Sequence, residues 1–180
     1  QLDMESNGKS TDRQGKNLKA SSPVVFGSAG TNAQHSYFQL LHQGPEIIPV
    51  DFIVVKEAMS SLPEAKEHHN ALLANCLAQA QALAHGKESS NPNLSYAGKR
   101  PSNLIALPKL DAYHLGALLA LYEHRTFCLG ALWNLNPFDQ PGVELGKVLA
   151  RPIEEALKGS QSNNEGFDSV TSARINYLKQ

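Results

Sequence analysis

His35 follows a turn of the kind that open α/β proteins use to bind ligands. The apolar run Val24–Phe26 predicts a short buried strand, and the small residues of Gly27–Asn32 predict a turn. A helix capped within Thr31–Asn32 would follow and end near Gly44–Pro45. The loop of such a unit lies at the carboxyl edge of a parallel sheet, where ligands bind. His35 would then lie in the first helical turn, although a lone histidine there is more often structural than catalytic.

A second group of polar side chains falls on one face of a predicted helix. The segment Phe138–Leu157 predicts a long helix with Asp139 as its N-cap. Steps of four and seven residues place Gln140, Glu144 and Lys147 near the same azimuth. The simpler interpretation is a solvated ion pair between Glu144 and Lys147, and the segment taken alone favours it.

The histidines do not have the spacing of a metal site. His68 and His69 are adjacent, so on a helix they point about 100° apart and do not readily bind one metal. His114 and His124 lie ten residues apart, without an acidic or cysteine partner at metal-ligand spacing. The sequence also has no Walker motif and no GxGxxG motif. We therefore predict that the protein has no metal site.

Composition and charge restrict the class of protein. With 180 residues, 41% of them apolar, the chain suits one globular domain or half of a larger one. A formal net charge of −1 gives no electrostatic reason to expect nucleic acid or an anionic membrane as a partner. No apolar run approaches transmembrane length, and the N-terminus does not resemble a signal peptide. The chain begins at Gln1 without an initiator Met, which suggests a fragment.

The two cysteines predict a reducing compartment. Cys76 and Cys128 lie in apolar sequence contexts and lack a CxxC arrangement. They are expected to be buried thiols rather than a disulfide. We therefore predict a cytoplasmic protein.

Strands and helices alternate along the chain, which is typical of an α/β layer with a parallel sheet. β-branched and apolar residues predict strands at Ile47–Val55 and Asn103–Leu107, with Pro49 restricting the start of the first to an edge. Apolar residues at helical spacing predict a helix over His68–His85, ended by Gly86. Three more helices are predicted: one capped by Asp111, one over Phe127–Leu135 where a fourth strand is the alternative, and one over Ser169–Gln180. The polar segment Lys158–Gly166 is predicted to be a mobile tail.

Three segments together resemble the glucose-6-phosphate isomerase family. They are QLDMESNGK (Gln1–Lys9), GTNAQHSYFQLLHQG (Gly30–Gly44) and GALWNLNPFDQPGVELGK (Gly130–Lys147). Shorter pieces agree in order, including PVDFI at Pro49 and the closing INYLKQ at Ile175. The resemblance covers nearly the whole chain and implies two α/β subdomains of the sugar-isomerase type. Residues 1–180 would be the C-terminal part of such an enzyme, a parallel sheet with helices on both faces and a helical C-terminal extension, with a tail over 158–180.

The resemblance also implies a reaction and residue roles. Family members interconvert glucose 6-phosphate and fructose 6-phosphate without a metal or other cofactor. By motif position, Glu5 is the base that shuttles a proton between C2 and C1 through a cis-enediol, His35 assists ring opening, and Lys147 lies near the ring oxygen. The implied substrate contacts are Gln1, Gln140, Gly30 and Thr31.

These residue types suit that chemistry. A free glutamate has a pKa of about 4.3, so it is ionised at neutral pH, as a base must be. A histidine titrates in the range that proton transfer during ring opening needs. A lysine ammonium stabilises a developing oxyanion as a compact positive charge.

The chain departs from the family pattern at a few positions. The family usually has Glu-Pro at Ser28–Ala29, Gly at Ala33 and Trp at Pro141. Proline is tolerated in a first helical turn, so we expect local repacking there without loss of chemistry. We find no candidate for the family's phosphate-binding loop or for the arginine that stabilises the enediolate. The chain alone is therefore expected to be inactive and to need the N-terminal part of the same enzyme.

The resemblance further implies a homodimer with a shared active site, in which His35 of one chain serves the site that contains Glu5 of the other. One competing function is a non-catalytic sugar-phosphate-binding module of the same fold, which would not need Glu5, His35 and Lys147 together. Another is an extracellular signalling role, for which no sequence feature argues. We therefore predict a fragment of an aldose–ketose isomerase that acts on a sugar phosphate, with no nucleic-acid or membrane partner.

Overall fold

A computed structural model describes residues 1–159 and 166–179 of the chain. Two compact units make it up: the continuous unit, Val24–Arg125, and the discontinuous unit, which combines Gln1–Pro23 with Thr126–Gln180. The helices and strands are α1 (Met4–Asn7), α2 (Gly30–Gln34), α3 (Phe38–Gln43), β1 (Val50–Val55), α4 (Ala65–His85), β2 (Ser102–Leu107), α5 (Ala112–Leu132), α6 (Glu144–Leu157) and α7 (Ser169–Leu178). Short 3-10 helices cover Pro92–Leu94 and Pro141–Val143.

A parallel pair of strands forms the sheet of the continuous unit. β1 and β2 pair in parallel, and α4 lies between them in the chain. Because neighbouring residues of a strand point to opposite faces, Asp51 and Phe52 show what covers each side. The ring of Phe52 lies 6.4 Å from that of Phe38 of α3, and Asp51 accepts a hydrogen bond from Tyr122 of α5 at 3.1 Å. The predicted parallel sheet with helices on both faces is confirmed.

The core of the continuous unit is a small apolar cluster. α4 contributes Leu83, which is 1% exposed. Other apolar residues of α4, such as Leu72 and Leu77, are about half exposed, so the predicted helix is correct while its apolar face is only partly covered. The buried members of the cluster are Ala33, Phe38, Leu41 and Leu83, and Tyr37, Ile48, Val50 and Phe52 pack against them.

The ends of α4 and the start of α5 follow local chemistry. Gly86 ends α4 with φ of +66°, and a Cβ there would collide with the carbonyl oxygen of Tyr96, so only glycine fits. Asp111 Oδ1 accepts a hydrogen bond from the backbone N–H of His114 at 2.9 Å, as an N-cap does. Both predicted helix ends are confirmed. α5 continues to Leu132, so the helix favoured over a fourth strand is also correct up to that residue.

The predicted strand at Val24–Phe26 is wrong. These residues form no strand, and their side chains are 81%, 47% and 49% exposed. Such a short run is held as a strand only by a neighbouring strand, and β1 and β2 pair with each other in the described sheet. The start of the next strand also differs, because β1 begins at Val50, directly after Pro49.

The single helix predicted after the turn is instead two short helices. The N–H of His35 donates to Asn32 O at 3.1 Å and that of Ser36 donates to Ala33 O at 3.0 Å. These bonds span three residues rather than four, so they tighten and end α2. The predicted capping is also wrong: Thr31 and Asn32 lie inside α2, whose N-cap position makes no side-chain hydrogen bond.

The discontinuous unit contains α1, α6, α7 and the C-terminal end of α5. α1 ends at Asn7, with Gly8 as its C-cap, and α7 is capped by Asp168, whose Oδ1 accepts from the N–H groups of Val170 and Thr171 at 3.0 and 3.1 Å. α6 begins at Glu144, not at the predicted Asp139. Of the tail predicted over Lys158–Gly166, residues 160–165 lie outside the described part of the chain.

The cysteine predictions are half correct. Cys76 is half-buried, and burial raises the pKa of its thiol. Cys128 is exposed, contrary to prediction. It lies on α5, where Leu119, Leu121 and Phe127 are also about half exposed. An apolar sequence context on such a helix does not determine which side chain faces inward.

The described residues offer neither a metal-binding cluster nor a membrane-spanning helix. Within 1–159 and 166–179, no three histidine, cysteine, aspartate or glutamate side chains form a group that could hold a metal ion. In the same ranges no helix is both long and apolar enough to cross a bilayer.

Candidate active site

Glu5, the predicted base, lies on the short helix α1. Its backbone N–H donates to Gln1 O at 3.2 Å, so these two of the predicted site residues share one turn. Glu5 is half-buried, whereas Gln1 is exposed. A carboxylate in this setting keeps contact with solvent while its backbone is held.

Asn7 attaches this turn to α5. The residue is completely buried, and its Nδ2 donates to the carbonyl oxygen of Thr126 at 2.8 Å. The backbone carbonyl oxygen of Asn7 accepts from the backbone N–H of Lys9 at 2.8 Å and from that of Ser22 at 3.3 Å. Gly130 makes the close approach possible, because a Cβ at this position would lie 2.9 Å from Asn7 Oδ1. The backbone two residues after Glu5 is therefore fixed from several directions.

Lys9 attaches the same turn to a distant loop. Its ammonium donates to the carbonyl oxygens of Ser6 at 2.5 Å, Asn136 at 2.7 Å and Asp139 at 2.8 Å. The Asp139 carboxylate lies 3.1 Å away, and the side chain of Lys9 is 17% exposed. A cation this shielded needs such partners, because losing water is otherwise costly. The Asp139 carboxylate also accepts from Asn136 Nδ2 at 2.9 Å, and these contacts keep Asp139 from capping α6.

The predicted helix face of Gln140, Glu144 and Lys147 forms only in part. Lys147 Nζ donates to Glu144 Oε1 at 2.7 Å, and the two side chains are 67% and 63% exposed. This is the solvated ion pair of the simpler interpretation. Gln140 precedes the 3-10 helix in a non-helical conformation, with φ of −137° and ψ of 56°, so it does not share the α6 face. It instead follows Asp139 in the loop that Lys9 holds.

The remaining predicted site residues lie in the continuous unit. Gly30 and Thr31 form the first turn of α2, and both are exposed. His35 is exposed at the C-terminal end of α2. The prediction that it lies in the first turn of a helix is therefore wrong, because α2 ends before the chain turns into α3. Gly30, Thr31 and His35 nevertheless all lie within or at the end of this five-residue helix.

A polar cleft of about 710 Å³ opens in the discontinuous unit. Lys9, Arg13 and Asp139 are among the residues that line it, and none of the predicted site residues does. Arg13 Nε donates to Leu135 O at 3.0 Å, and Lys9 and Asp139 bind each other. The charged groups of the cleft thus make structural contacts, and we assign no ligand to it.

The comparison with protein families decides the classification. A family model described as phosphoglucose isomerase matches residues 1–175. The chain belongs to the phosphoglucose isomerase family. The resemblance seen in the three sequence motifs is confirmed, and all seven predicted site residues fall within the matched range.

Individual relatives agree with this family assignment. The chain is 52% identical over its whole length to glucose-6-phosphate isomerase 2 of Cupriavidus pinatubonensis, covering 35% of that protein. It is 51% identical over 99% of its length to glucose-6-phosphate isomerase of Dechloromonas aromatica, covering 36% of that protein. A crystal structure of a glucose-6-phosphate isomerase from Chlamydia trachomatis matches 99% of the chain and 34% of that protein, with 37% identity and a TM-score of 0.79. The chain thus spans about a third of the length of these relatives.

Sequence reasoning missed the two residues that fix α1, Asn7 and Lys9. Both belong to the motif QLDMESNGK, but their partners are 119 to 130 residues away. Patterns of helical or strand spacing do not report contacts at such separations. The signal available in the sequence was the motif itself, which places both residues within four positions of Glu5.

Proposed function

We propose that the chain is the C-terminal part of an enzyme that interconverts glucose 6-phosphate and fructose 6-phosphate. The observation that carries this proposal is the family match over residues 1–175. The names of the relatives, which are glucose-6-phosphate isomerases, support the same substrate pair. Because the chain spans about a third of those relatives, the activity is proposed for the longer protein. The 180 residues alone are expected to show no turnover, since binding of the remote phosphate supplies energy that is used at the reacting carbons.

Glu5 is the proposed base. Its carboxylate takes the proton from C2 of the open-chain aldose while the electron pair of the C–H bond forms the C1–C2 double bond. O1 gains a proton, which gives the cis-enediol. Loss of the O2 proton and return of the proton from Glu5 to C1 then give the ketose. The half-buried position of Glu5 on a backbone fixed by Asn7 supports this role, since proton transfer needs a positioned carboxylate.

The other predicted residues would bind the substrate and open its ring. His35 would move the proton between O1 and O5, and its exposure leaves the ring accessible. Lys147 would lie near the ring oxygen, where its charge stabilises a developing oxyanion. Its partner Glu144 is itself exposed, so the ammonium can exchange that ion pair for a substrate contact at low cost. The proposed substrate contacts are Gln1, Gln140, Gly30 and Thr31.

The proposed assembly is a homodimer with two shared sites. His35 of one subunit would serve the site that contains Glu5 and Lys147 of the other, together with the N-terminal part of the same enzyme. A two-fold axis makes such an arrangement reciprocal. We propose a cytoplasmic location and no metal or organic cofactor for this enzyme.

The substitution Glu5→Gln in the longer protein tests the function. It keeps the shape of the side chain and removes its basicity, so exchange of the C2 hydrogen of glucose 6-phosphate with solvent should fall by a factor of about 10² to 10⁴. Substrate binding, measured by calorimetry, should persist. The matched control is Glu155→Gln, an exposed glutamate of α6, which should leave exchange unchanged.

Two results would contradict the proposal. Near-normal exchange in Glu5→Gln would remove Glu5 as the base. A wild-type protein that binds the sugar phosphate without exchanging or isomerising it would favour the alternative of a non-catalytic binding module.

A further inference from the structure

The ammonium of Lys9 joins two segments that carry proposed site residues. On one side it donates to the carbonyl oxygen of Ser6, which directly follows Glu5. On the other side it donates to the carbonyl oxygen of Asp139, which directly precedes Gln140, and it also pairs with the Asp139 carboxylate. All of these residues belong to the discontinuous unit. One cation therefore connects the backbone next to the proposed base with the backbone next to a proposed substrate contact.

The chemistry of these contacts suits a primary ammonium. Lys9 faces three carbonyl oxygens, of Ser6, Asn136 and Asp139, and one carboxylate oxygen. A lysine ammonium has three rotatable N–H donors that can point to acceptors around a point, whereas the guanidinium of arginine is a planar fork. The 17% exposure of the Lys9 side chain leaves little room for a larger group.

Asn7 links the backbone of Lys9 to α1, so the contacts of Lys9 fix the position of α1 as well as that of the loop that contains Asp139. Asn7 holds the end of α1 to α5 through Thr126, and its carbonyl oxygen accepts from the N–H of Lys9 at 2.8 Å. α1 has four residues, and a helix of this length is not stable by itself. Its orientation thus depends on Asn7 at its C-terminal end and on the Lys9 ammonium at Ser6.

We propose that Lys9 is a positioning residue of the isomerase: its ammonium fixes the turn of Glu5 relative to the loop of Gln140 and so aligns the base with the substrate. This inference rests on the proposed function. Lys9 does not touch the reacting atoms in this role. Its contribution is geometric, and misplacement of a catalytic group by about 1 Å can cost about 100-fold in rate.

The test compares Lys9→Met with the control Lys158→Met in the longer protein. Methionine keeps an unbranched stem and removes the donors. Lys158 is an exposed lysine that pairs with Glu154. For Lys9→Met, kcat per folded molecule should fall about 30-fold or more, with KM changed less than about threefold, because a misaligned base weakens the transition state more than the substrate complex. For Lys158→Met, both constants should stay within about twofold of the wild type. Near-UV circular dichroism gives the folded fraction.

A second variant and a second measurement separate alignment from folding. Asp139→Asn keeps the backbone acceptor and removes the charge, so kcat should fall in the same direction but less than in Lys9→Met. Hydrogen exchange of the longer protein should show the amides of Glu5, Asn7 and Gly8 exchanging at least about tenfold faster in Lys9→Met. An effect limited to stability, with an unchanged kcat per folded molecule, would overturn the positioning role.

The outcomes distinguish this inference from the proposed function. A wild-type longer protein that does not isomerise glucose 6-phosphate would overturn both. An active wild type together with an equally active, folded Lys9→Met would overturn the inference and leave the proposed function standing.

Discussion

The two units are stabilised by different kinds of contact. The continuous unit contains the sheet and an apolar cluster around Phe38, Leu41 and Leu83. In the discontinuous unit, side-chain hydrogen bonds from Asn7 and Lys9 to distant backbone carbonyls hold the segment that carries Glu5. Apolar contacts tolerate small displacements, whereas hydrogen bonds depend on distance and angle. The difference suggests that geometry matters most where the proposed base is positioned, and the following predictions test this contrast.

The largest effect on activity should come from removing Glu5 of the discontinuous unit or His35 of the continuous unit in separate proteins. Glu5→Ala and His35→Ala, made in separate longer proteins, should each lose at least about 100-fold in activity. If the variants are unfolded, mixed and refolded together, about half of the dimers should be mixed, and each mixed dimer should contain one intact shared site. Roughly a quarter of the wild-type activity should therefore return.

The control for this experiment is each variant refolded alone, which should stay inactive. If Glu5 and His35 act within one subunit, every site keeps a lesion. No recovery in a sample whose mixed dimers are confirmed by native mass spectrometry would therefore refute the shared site.

A cavity in the continuous unit should have the next largest effect. Leu83→Ala should lower the free energy of unfolding by about 2–5 kcal/mol, because the residue is 1% exposed within the apolar cluster. Leu72→Ala on the same helix should cost much less, because Leu72 is 54% exposed. Urea denaturation followed by circular dichroism measures both. Equal losses in the two variants would show that the cluster is not the centre of this unit.

A steric change in the discontinuous unit tests the close packing at Asn7. Gly130→Ala adds a Cβ at 2.9 Å from Asn7 Oδ1 and 3.3 Å from the Pro137 ring, so it should lower the free energy of unfolding by about 1–3 kcal/mol. Gly116→Ala lies in the same helix with nothing within 4 Å of the added Cβ and should stabilise by roughly 0.5–1 kcal/mol. Opposite signs in urea denaturation are the expected result. A stabilising Gly130→Ala would mean that this contact is loose.

The smallest effect should be the acid sensitivity of the α7 cap. Hydrogen bonds from Thr171, first from its hydroxyl and then from its N–H, lower the pKa of Asp168. A lowered pKa in the folded state means that the stabilisation is present above the unfolded value of about 3.9 and is lost as the pH falls through the folded value. Asp168→Asn keeps a capping oxygen and does not titrate, so thermal melts between pH 6 and 3 should show a smaller loss of stability in this variant. If the melting temperatures of the wild type and Asp168→Asn fell in parallel as the pH is lowered, Asp168 would be excluded as a source of acid sensitivity.

The two units also differ in how far the sequence predicted them. Periodicity and end signals correctly predicted α4 with its stop at Gly86, α5 with its cap at Asp111 and the parallel strands, because these features depend on neighbouring residues. The strand at Val24–Phe26 failed because a strand needs a partner that a local pattern does not show. Asp139 was expected to cap α6, but it pairs with Lys9 across 130 residues of sequence, a separation at which spacing rules carry no information.

The site residues likewise divide into those that local spacing predicted and those that depend on long-range contacts. The simple ion pair between Glu144 and Lys147 was predicted from helical spacing and is present. Motif resemblance supplied Glu5, which no pattern would have selected, and it gave a role to His35, which the turn pattern had marked only weakly. Both roles stay predictions. Gln140 was placed on the wrong element because the start of α6 depends on the long-range contacts of Asp139.

The separation between the two parts of the discontinuous unit has a consequence for biosynthesis. Lys9 reaches its partners at Asn136 and Asp139 only after about 130 further residues have been added, which takes roughly 6–25 seconds at ribosomal rates of about 5–20 residues per second. The continuous unit is complete at Arg125, before those partners exist. During translation the α1 segment is therefore made long before the residues that hold it, and closing so long a loop adds an entropic cost to folding. The turn that carries the proposed base is thus made early in this chain, whereas the contacts of Lys9 with Asn136 and Asp139 become available only about 130 residues later.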